Sequence, residues 1–145
     1  MSGRRPHPLG ETERGFTLIE LLVVMIVLGT LAGIAIPTFL TQRAKGHDTS
    51  TQADVSNLGK EVATYFVDGT GTLTLDFTSA PGRVLLGDGS WSTSVNLTNG
   101  TAAPSTGVSS NMGNATGWCV ALTDPRGSQR EYRYSAMGGI GVGSC

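Results

Sequence analysis

Gly15-Phe16-Thr17-Leu18-Ile19-Glu20 opens an apolar run that continues to Leu40 and holds a single charge, the carboxylate of Glu20. From Leu21 to Leu40 there are 20 consecutive uncharged residues. At about 1.5 Å of rise each they make a helix of roughly 30 Å, the thickness of a bilayer's hydrocarbon core. The segment is long enough to cross a membrane, which makes Glu20 the anomaly. A carboxylate within such a segment costs about 2.5 to 3.5 kcal/mol on insertion scales, so it asks for a partner cation. Between Phe16 and Gln42 there is no Lys, Arg or His to supply one.

Two ordinary explanations cover part of this pattern. A secretory signal has an apolar core of about 7 to 15 residues ending at a small-x-small site. Thr30-Leu31-Ala32 could pass for that site, but the charge at Glu20 and the continuation to Leu40 fit poorly. A plain membrane anchor explains the length and leaves Glu20 without a partner.

The stretch Gly15 to Val24, preceded by a short leader carrying Arg4, Arg5 and Arg14, resembles the prepilin signature of type IV pilins and type II secretion pseudopilins. The resemblance covers about Gly15 to Arg43. It implies cleavage between Gly15 and Phe16 by a membrane-embedded prepilin peptidase and N-methylation of Phe16. The missing cation would then be the new amine on Phe16. Glu20 lies four residues further along the same helix face, and in the family the preferred partner is a neighbour's amine, which makes Glu20 a filament-assembly residue. The implied fold is α+β: a long N-terminal helix packed on a small antiparallel β-sheet head. The implied layout is a leader at 1–15, a transmembrane and filament-core half-helix at 16–40, an amphipathic half at 41–67 and an extracytoplasmic head at 68–145. Lys/Arg asymmetry across the span is weak, with Arg43 and Lys45 following it, so orientation rests on the resemblance. It puts the leader in the cytoplasm, the unassembled subunit in the inner membrane as a single-pass protein and the assembled subunit in an extracellular pilus.

Residues Phe16 to Cys145 carry seven Lys/Arg and nine Asp/Glu, a formal net charge of −2. With no basic stripe, a nucleic-acid footprint has no support. About 105 residues outside the span suffice for one small domain with a thin core. Cys119 and Cys145, the only cysteines, would both be exported, and an even pair in an oxidising compartment reads as a disulfide. Such a pair also resembles the C-terminal disulfide loop of type IV pilins. The alternative, free thiols or a partial metal site, lacks a nearby His to complete a ligand set.

Val55, Leu58, Val62, Tyr65 and Phe66 recur at spacings of three and four, with Asp54, Asn57, Lys60, Glu61 and Thr64 opposite, so the helix is expected to run from about Thr17 to Val67. Gly29, Gly33 and Pro37 interrupt it. Pro37 removes a backbone bond and should kink the helix; in the pilin family a Pro here marks a segment that bends or melts on assembly, and transmembrane helices tolerate the same kink without function. Beyond Phe66, weak strands are expected around Leu73 to Phe77, Arg83 to Leu86 and Val95 to Leu97. Trp118 to Thr123 and Arg130 to Ala136 should form a hairpin closed by Asp124-Pro125-Arg126-Gly127. Thr98 to Gly117 reads as an exposed loop, and the sequons at Asn96, Asn99 and Asn114 read as chance matches.

No nucleophile motif, metal spacing or phosphate loop appears, so neither enzyme activity nor any cofactor or metal is expected. His47 reads as a solvated side chain, and Asp48, Asp54, Glu61, Asp68, Asp76, Asp88, Asp124 and Glu131 as a solubilising surface. A calcium site of the major-pseudopilin kind would need clustered oxygens, and Gly138 to Cys145 contains no acid. The resemblance therefore implies a structural pilus subunit, for adhesion, motility or DNA uptake. Its partners would be other copies, the peptidase, and an inner-membrane assembly platform with its ATPase. A pseudopilin or minor pilin is the alternative, and a membrane-anchored extracellular binding domain or enzyme the more distant one. Mass spectrometry of the mature protein should find an N-terminus at Phe16 carrying one methyl group; intact Met1, or a start near Gly33, would sink the prepilin reading.

Overall fold

The computed structural model describes residues 15–103 and 109–145. The leader expected up to residue 14 and the middle of the expected loop, residues 104–108, lie outside the described residues. Two compact units are present, one ending at Thr38 and one running from Phe39 to Cys145. One helix, α1 (Leu18–Asp68), contributes to both.

In the first unit Gly15, Phe16 and Thr17 precede the helix, and every described residue up to Thr38 is exposed. This stretch is apolar on all sides, which in a helix means a lipid or protein environment rather than water. With a mean hydropathy of 2.6 it is long and apolar enough to cross a membrane. The helix assignment continues through Pro37. Thr38 Oγ1 donates to the Ile34 carbonyl at 3.1 Å, a local bond of the kind that hydroxyl side chains make to the preceding turn.

The second unit is built on the remaining turns of α1. Among the described residues seven strands follow the helix: β1 (Thr74–Asp76), β2 (Arg83–Gly87), β3 (Ser92–Asn96), β4 (Ser109–Ser110), β5 (Cys119–Thr123), β6 (Glu131–Ser135) and β7 (Gly139–Val142). They form two antiparallel sheets in simple meander order, β1-β2-β3 and β4-β5-β6-β7. The architecture is α+β, with the layout of the pilin fold. Val55, Leu58 and Val62 are fully buried from the helix; they meet Val84, Leu86 and Val95 from the first sheet and Val120, Leu122 and Tyr132 from the second in a single core. Strand alternation follows the pleat in β2, where Val84 and Leu86 point inward. Central strand β5 is buried over Cys119 to Leu122, so both of its faces are covered.

Gly59 fixes how closely helix and second sheet approach. A Cβ there would run into the ring of Tyr134, which itself stacks on Trp118 with ring centroids 6.0 Å apart. Cys119 in β5 is bonded to Cys145, 26 positions further along the chain, with Cα atoms 5.8 Å apart. Closing a loop of that size stabilises the unit by about 3 to 4 kcal/mol in the chain-entropy model.

Several sequence expectations need correcting. Thr98 to Gly117 is not simply an exposed loop: Thr101 and Met112 are buried, Ala102 bridges Thr123, and β4 pairs with β5. Backbone pairing needs no apolar side chain, so composition hid it. Strand β7, in a Gly-rich stretch, was missed for the same reason and pairs with β6 from Tyr132↔Val142 to Ser135↔Gly139. Asp54, expected on the polar side of the helix, is 5% exposed, because it serves as a hydrogen-bond acceptor for the chain after β3. Replacing Gly59 by Ala pits a helix-propensity gain of about 1 kcal/mol against an overpacking cost of roughly 1 to 3 kcal/mol. The collision with Tyr134 should win, lowering stability by about 1 to 2 kcal/mol in thermal unfolding followed by circular dichroism; an unchanged or raised melting temperature would show that the ring moves aside freely.

Candidate functional site

The helix start is the first candidate. Thr17 is its N-cap: the Thr17 hydroxyl accepts the N–H of Glu20 at 3.3 Å. Glu20 Oε2 in turn accepts the Thr17 N–H at 2.8 Å and the Thr17 hydroxyl at 3.0 Å. These reciprocal bonds are a capping box, and they satisfy donors that a helix start otherwise leaves open. Thr-x-x-Glu is a capping-box pattern legible in the sequence itself. Glu20 therefore has local neutral partners within the chain. Only Oε2 takes part in these bonds. Gly15 and Phe16 lie ahead of the first helical residue, with Phe16 82% exposed.

A second polar cluster lies where the β5–β6 hairpin meets the helix. Gly127 N–H donates to the Asp124 carbonyl at 3.1 Å, closing the expected turn. Asp124 Oδ1 accepts the backbone N–H of Arg126 at 3.0 Å and its Nε at 2.9 Å. Asp124 Oδ2 lies 2.8 Å from Arg126 Nη2 and 3.4 Å from His47 Nδ1. Arg126 Nη2 also donates to the Asn99 carbonyl. One turn of chain later, the backbone N–H groups of Ser128 and Gln129 both donate to Asp48 at 3.1 Å. Asp54 accepts the Thr98 N–H at 2.7 Å and the Thr98 hydroxyl at 3.1 Å. At the far end of α1 the Tyr65 hydroxyl donates to Asp88 at 2.8 Å.

The solubilising-surface reading is thus wrong for Asp48, Asp54 and Asp124, which are buried, and His47 faces a carboxylate. Burial of a charge is tolerable when its oxygens are hydrogen-bonded, as all three are, and Asp124 is ion-paired with Arg126 as well. The Arg126 hydrogen bonds hold the Asp124 carboxyl below the ordinary carboxylate range against the opposing effect of burial. Asp88 is held lower still, first by the Trp91 N–H, then by Ser90 and Tyr65. Asp76 is lowered chiefly by the Ser79 hydroxyl and the Thr78 N–H. Among the described residues no group of three metal-ligating side chains comes together.

The prokaryotic N-terminal methylation motif matches residues 12–36. The motif, and the relatives that share it, support a place among the type IV pilins and type II secretion pseudopilins. It is 32% identical over 59 residues to the type II secretion system core protein G of Pectobacterium carotovorum subsp. carotovorum, covering 41% of this chain and 38% of that one. It is 38% identical over 55 residues to the type IV wide pilus major component PilA4 of Thermus thermophilus, covering 38% and 42%. It is also 38% identical over 53 residues to the type IV major pilin protein PilA of Myxococcus xanthus, covering 37% and 24%. The match spans under two fifths of the length of the first two curated relatives. No solved structure matches the chain. The methylation motif coincides with the helix start, where Thr17 and Glu20 form the capping box, and with the exposed bond between Gly15 and Phe16.

A carboxylate with a depressed folded pKa binds protons more readily in the unfolded chain, so its contribution to stability is present above the unfolded value and is lost as pH falls through the folded one. Asp76, Asp88 and Asp124 all start from an ordinary value of 3.8. Denaturant unfolding between pH 7 and 2 should therefore show these carboxylates contributing a constant amount down to about pH 4 and a falling amount below it. Asp124→Asn should flatten part of the acid limb; an acid limb identical to that of the unmodified chain would mean Asp124 contributes nothing through its charge.

Proposed function

We propose that the chain is a structural subunit of a type IV pilus, made as a precursor, cleaved between Gly15 and Phe16, methylated on Phe16, and assembled into a surface filament. The observation that carries this reading is a helix start whose motif and whose single carboxylate precede a stretch exposed on every side. In the filament, apolar half-helices of many copies bury one another, which supplies the association energy. Glu20 supplies register: its carboxylate meets the Phe16 amine of a neighbouring copy. The peptidase, the inner-membrane platform and its ATPase are the partners of this cycle, the inner membrane its starting place and the extracellular pilus its end. The layout 1–15, 16–40, 41–67 and 68–145 belongs to the proposal, as does Pro37 as the place where the helix bends. The relatives themselves are named as filament or secretion-system components, which supports a structural role over an enzymatic one.

A pseudopilin is the second reading, favoured by the similarity to type II secretion core protein G. The Cys119–Cys145 disulfide and the absence of any acid from Gly138 to Cys145 favour the pilin.

Glu20→Gln separates charge from capping. Glutamine still accepts the Thr17 N–H and so preserves the capping box, but it cannot neutralise a buried ammonium. Removing one partner of such a pair costs about 3 to 5 kcal/mol, here repeated at every subunit. Electron microscopy of a strain whose only copy is Glu20→Gln should show membrane-inserted, folded protein and no filaments. Normal filament numbers would reduce Glu20 to a helix cap and remove its assembly role.

A further inference from the structure

The last apolar residue of the run, Leu40, borders a small cavity in the second unit whose polar walls are Arg43, His47 and Arg126. Leu40, Arg43, Ala44, His47 and Arg126 line a space of about 190 Å³. Arg43 and His47 stand one helical turn apart, on the same face of α1. Arg126 arrives from the hairpin tip, fixed there by its bonds to Asp124 and Asn99. The nearest acid, Asp124, has a side chain only 1% exposed, and both its oxygens are engaged by Arg126 and His47. It orients the cations more than it neutralises the opening.

Each of these three side chains keeps an end for a ligand. The bonds of Arg126 use Nε and Nη2, leaving Nη1. His47 faces Asp124 through Nδ1, leaving Nε2. Arg43 is exposed and makes no ion pair among the described residues. Arg43 is three residues beyond Leu40, about 4.5 Å along the helix, so when the run up to Leu40 occupies hydrocarbon the cavity lies at headgroup depth. An apolar wall continuous with the acyl region and donors on the other sides suit a phosphodiester with an attached chain.

We propose that this cavity binds the phosphate of an anionic phospholipid headgroup and seats the unassembled subunit at the membrane surface. The proposal rests on the membrane-anchored precursor reading above but not on filament formation.

The test uses the full chain, unassembled, in bilayer nanodiscs of phosphatidylcholine with a minor share of phosphatidylglycerol. The lipids retained after mild detergent extraction are then quantified by mass spectrometry. Phosphatidylglycerol should be enriched over its bulk share. Arg43→Gln should cut that enrichment about five-fold, the usual loss for one basic residue at a charged surface. Arg83→Gln, an exposed cation at the start of β2, should leave it unchanged. Arg126→Gln endangers the hairpin tip, so Arg126→Lys, with an intact circular dichroism spectrum, is the matching variant and should weaken retention by losing the fork. Retention at the bulk ratio, or an equal loss from Arg83→Gln, would overturn the site. Displacement of the lipid by millimolar inorganic phosphate would assign the cavity to the free ion and overturn the headgroup reading, as would preferential capture of a single-stranded oligonucleotide. Because Glu20→Gln protein should behave here like the unmodified chain, failure of this site is distinct from failure of filament assembly.

Discussion

A stretch of helix that is apolar all round and exposed throughout cannot remain so in water. Burying apolar surface is worth about 25 cal/mol per Å², and the chain itself keeps every described residue up to Thr38 exposed. Lipid and other copies of the same helix are the two environments that meet this demand, and neither requires a change of sequence between them. The cap at Thr17 and Glu20 matters in that light. It lets the one carboxylate sit in an apolar setting with its nearest backbone donor satisfied, while leaving an oxygen for a charge from outside.

The rest of α1 works under a different constraint. Both sheets lean on its one apolar stripe, Val55, Leu58, Val62 and Tyr65, and share a single core. Such a small core leaves the loops weakly held, and acidic side chains provide the missing ties. Asp48 receives two N–H groups of the hairpin, Asp54 receives Thr98, and Tyr65 reaches Asp88. The formal charge misleads for this reason. Residues 41–145 carry seven Lys/Arg and eight Asp/Glu, but three of those acids are buried, so the surface is more cationic than the formula.

The helix, its apolar stripe, the hairpin and its turn were legible because each leaves a periodic or turn-forming trace. The methylation motif was legible because it is a short, dense pattern. Strands β4 and β7 were not, since Ser109–Ser110 and Gly139–Val142 pair through backbone groups that every residue has. The roles of Asp48 and Asp54 were hidden because their partners lie far off in sequence: Ser128 is 80 residues from Asp48, and Thr98 is 44 from Asp54. No local pattern can announce a bond of that range. Gly59 was hidden likewise, its reason being the Tyr134 ring on another element.

The bond between Cys119 and Cys145 encloses β6 and β7 in a covalent ring that begins on the central strand. The exposed hairpin tip and the turn before Gly139 are where a protease would cut. A single nick between Cys119 and Cys145 yields two peptides that stay joined through sulfur, with β6 still paired to both neighbours. Shedding that part of the sheet takes a second cut or a reductant, so one exposed loop can be severed without the surface losing what it presents.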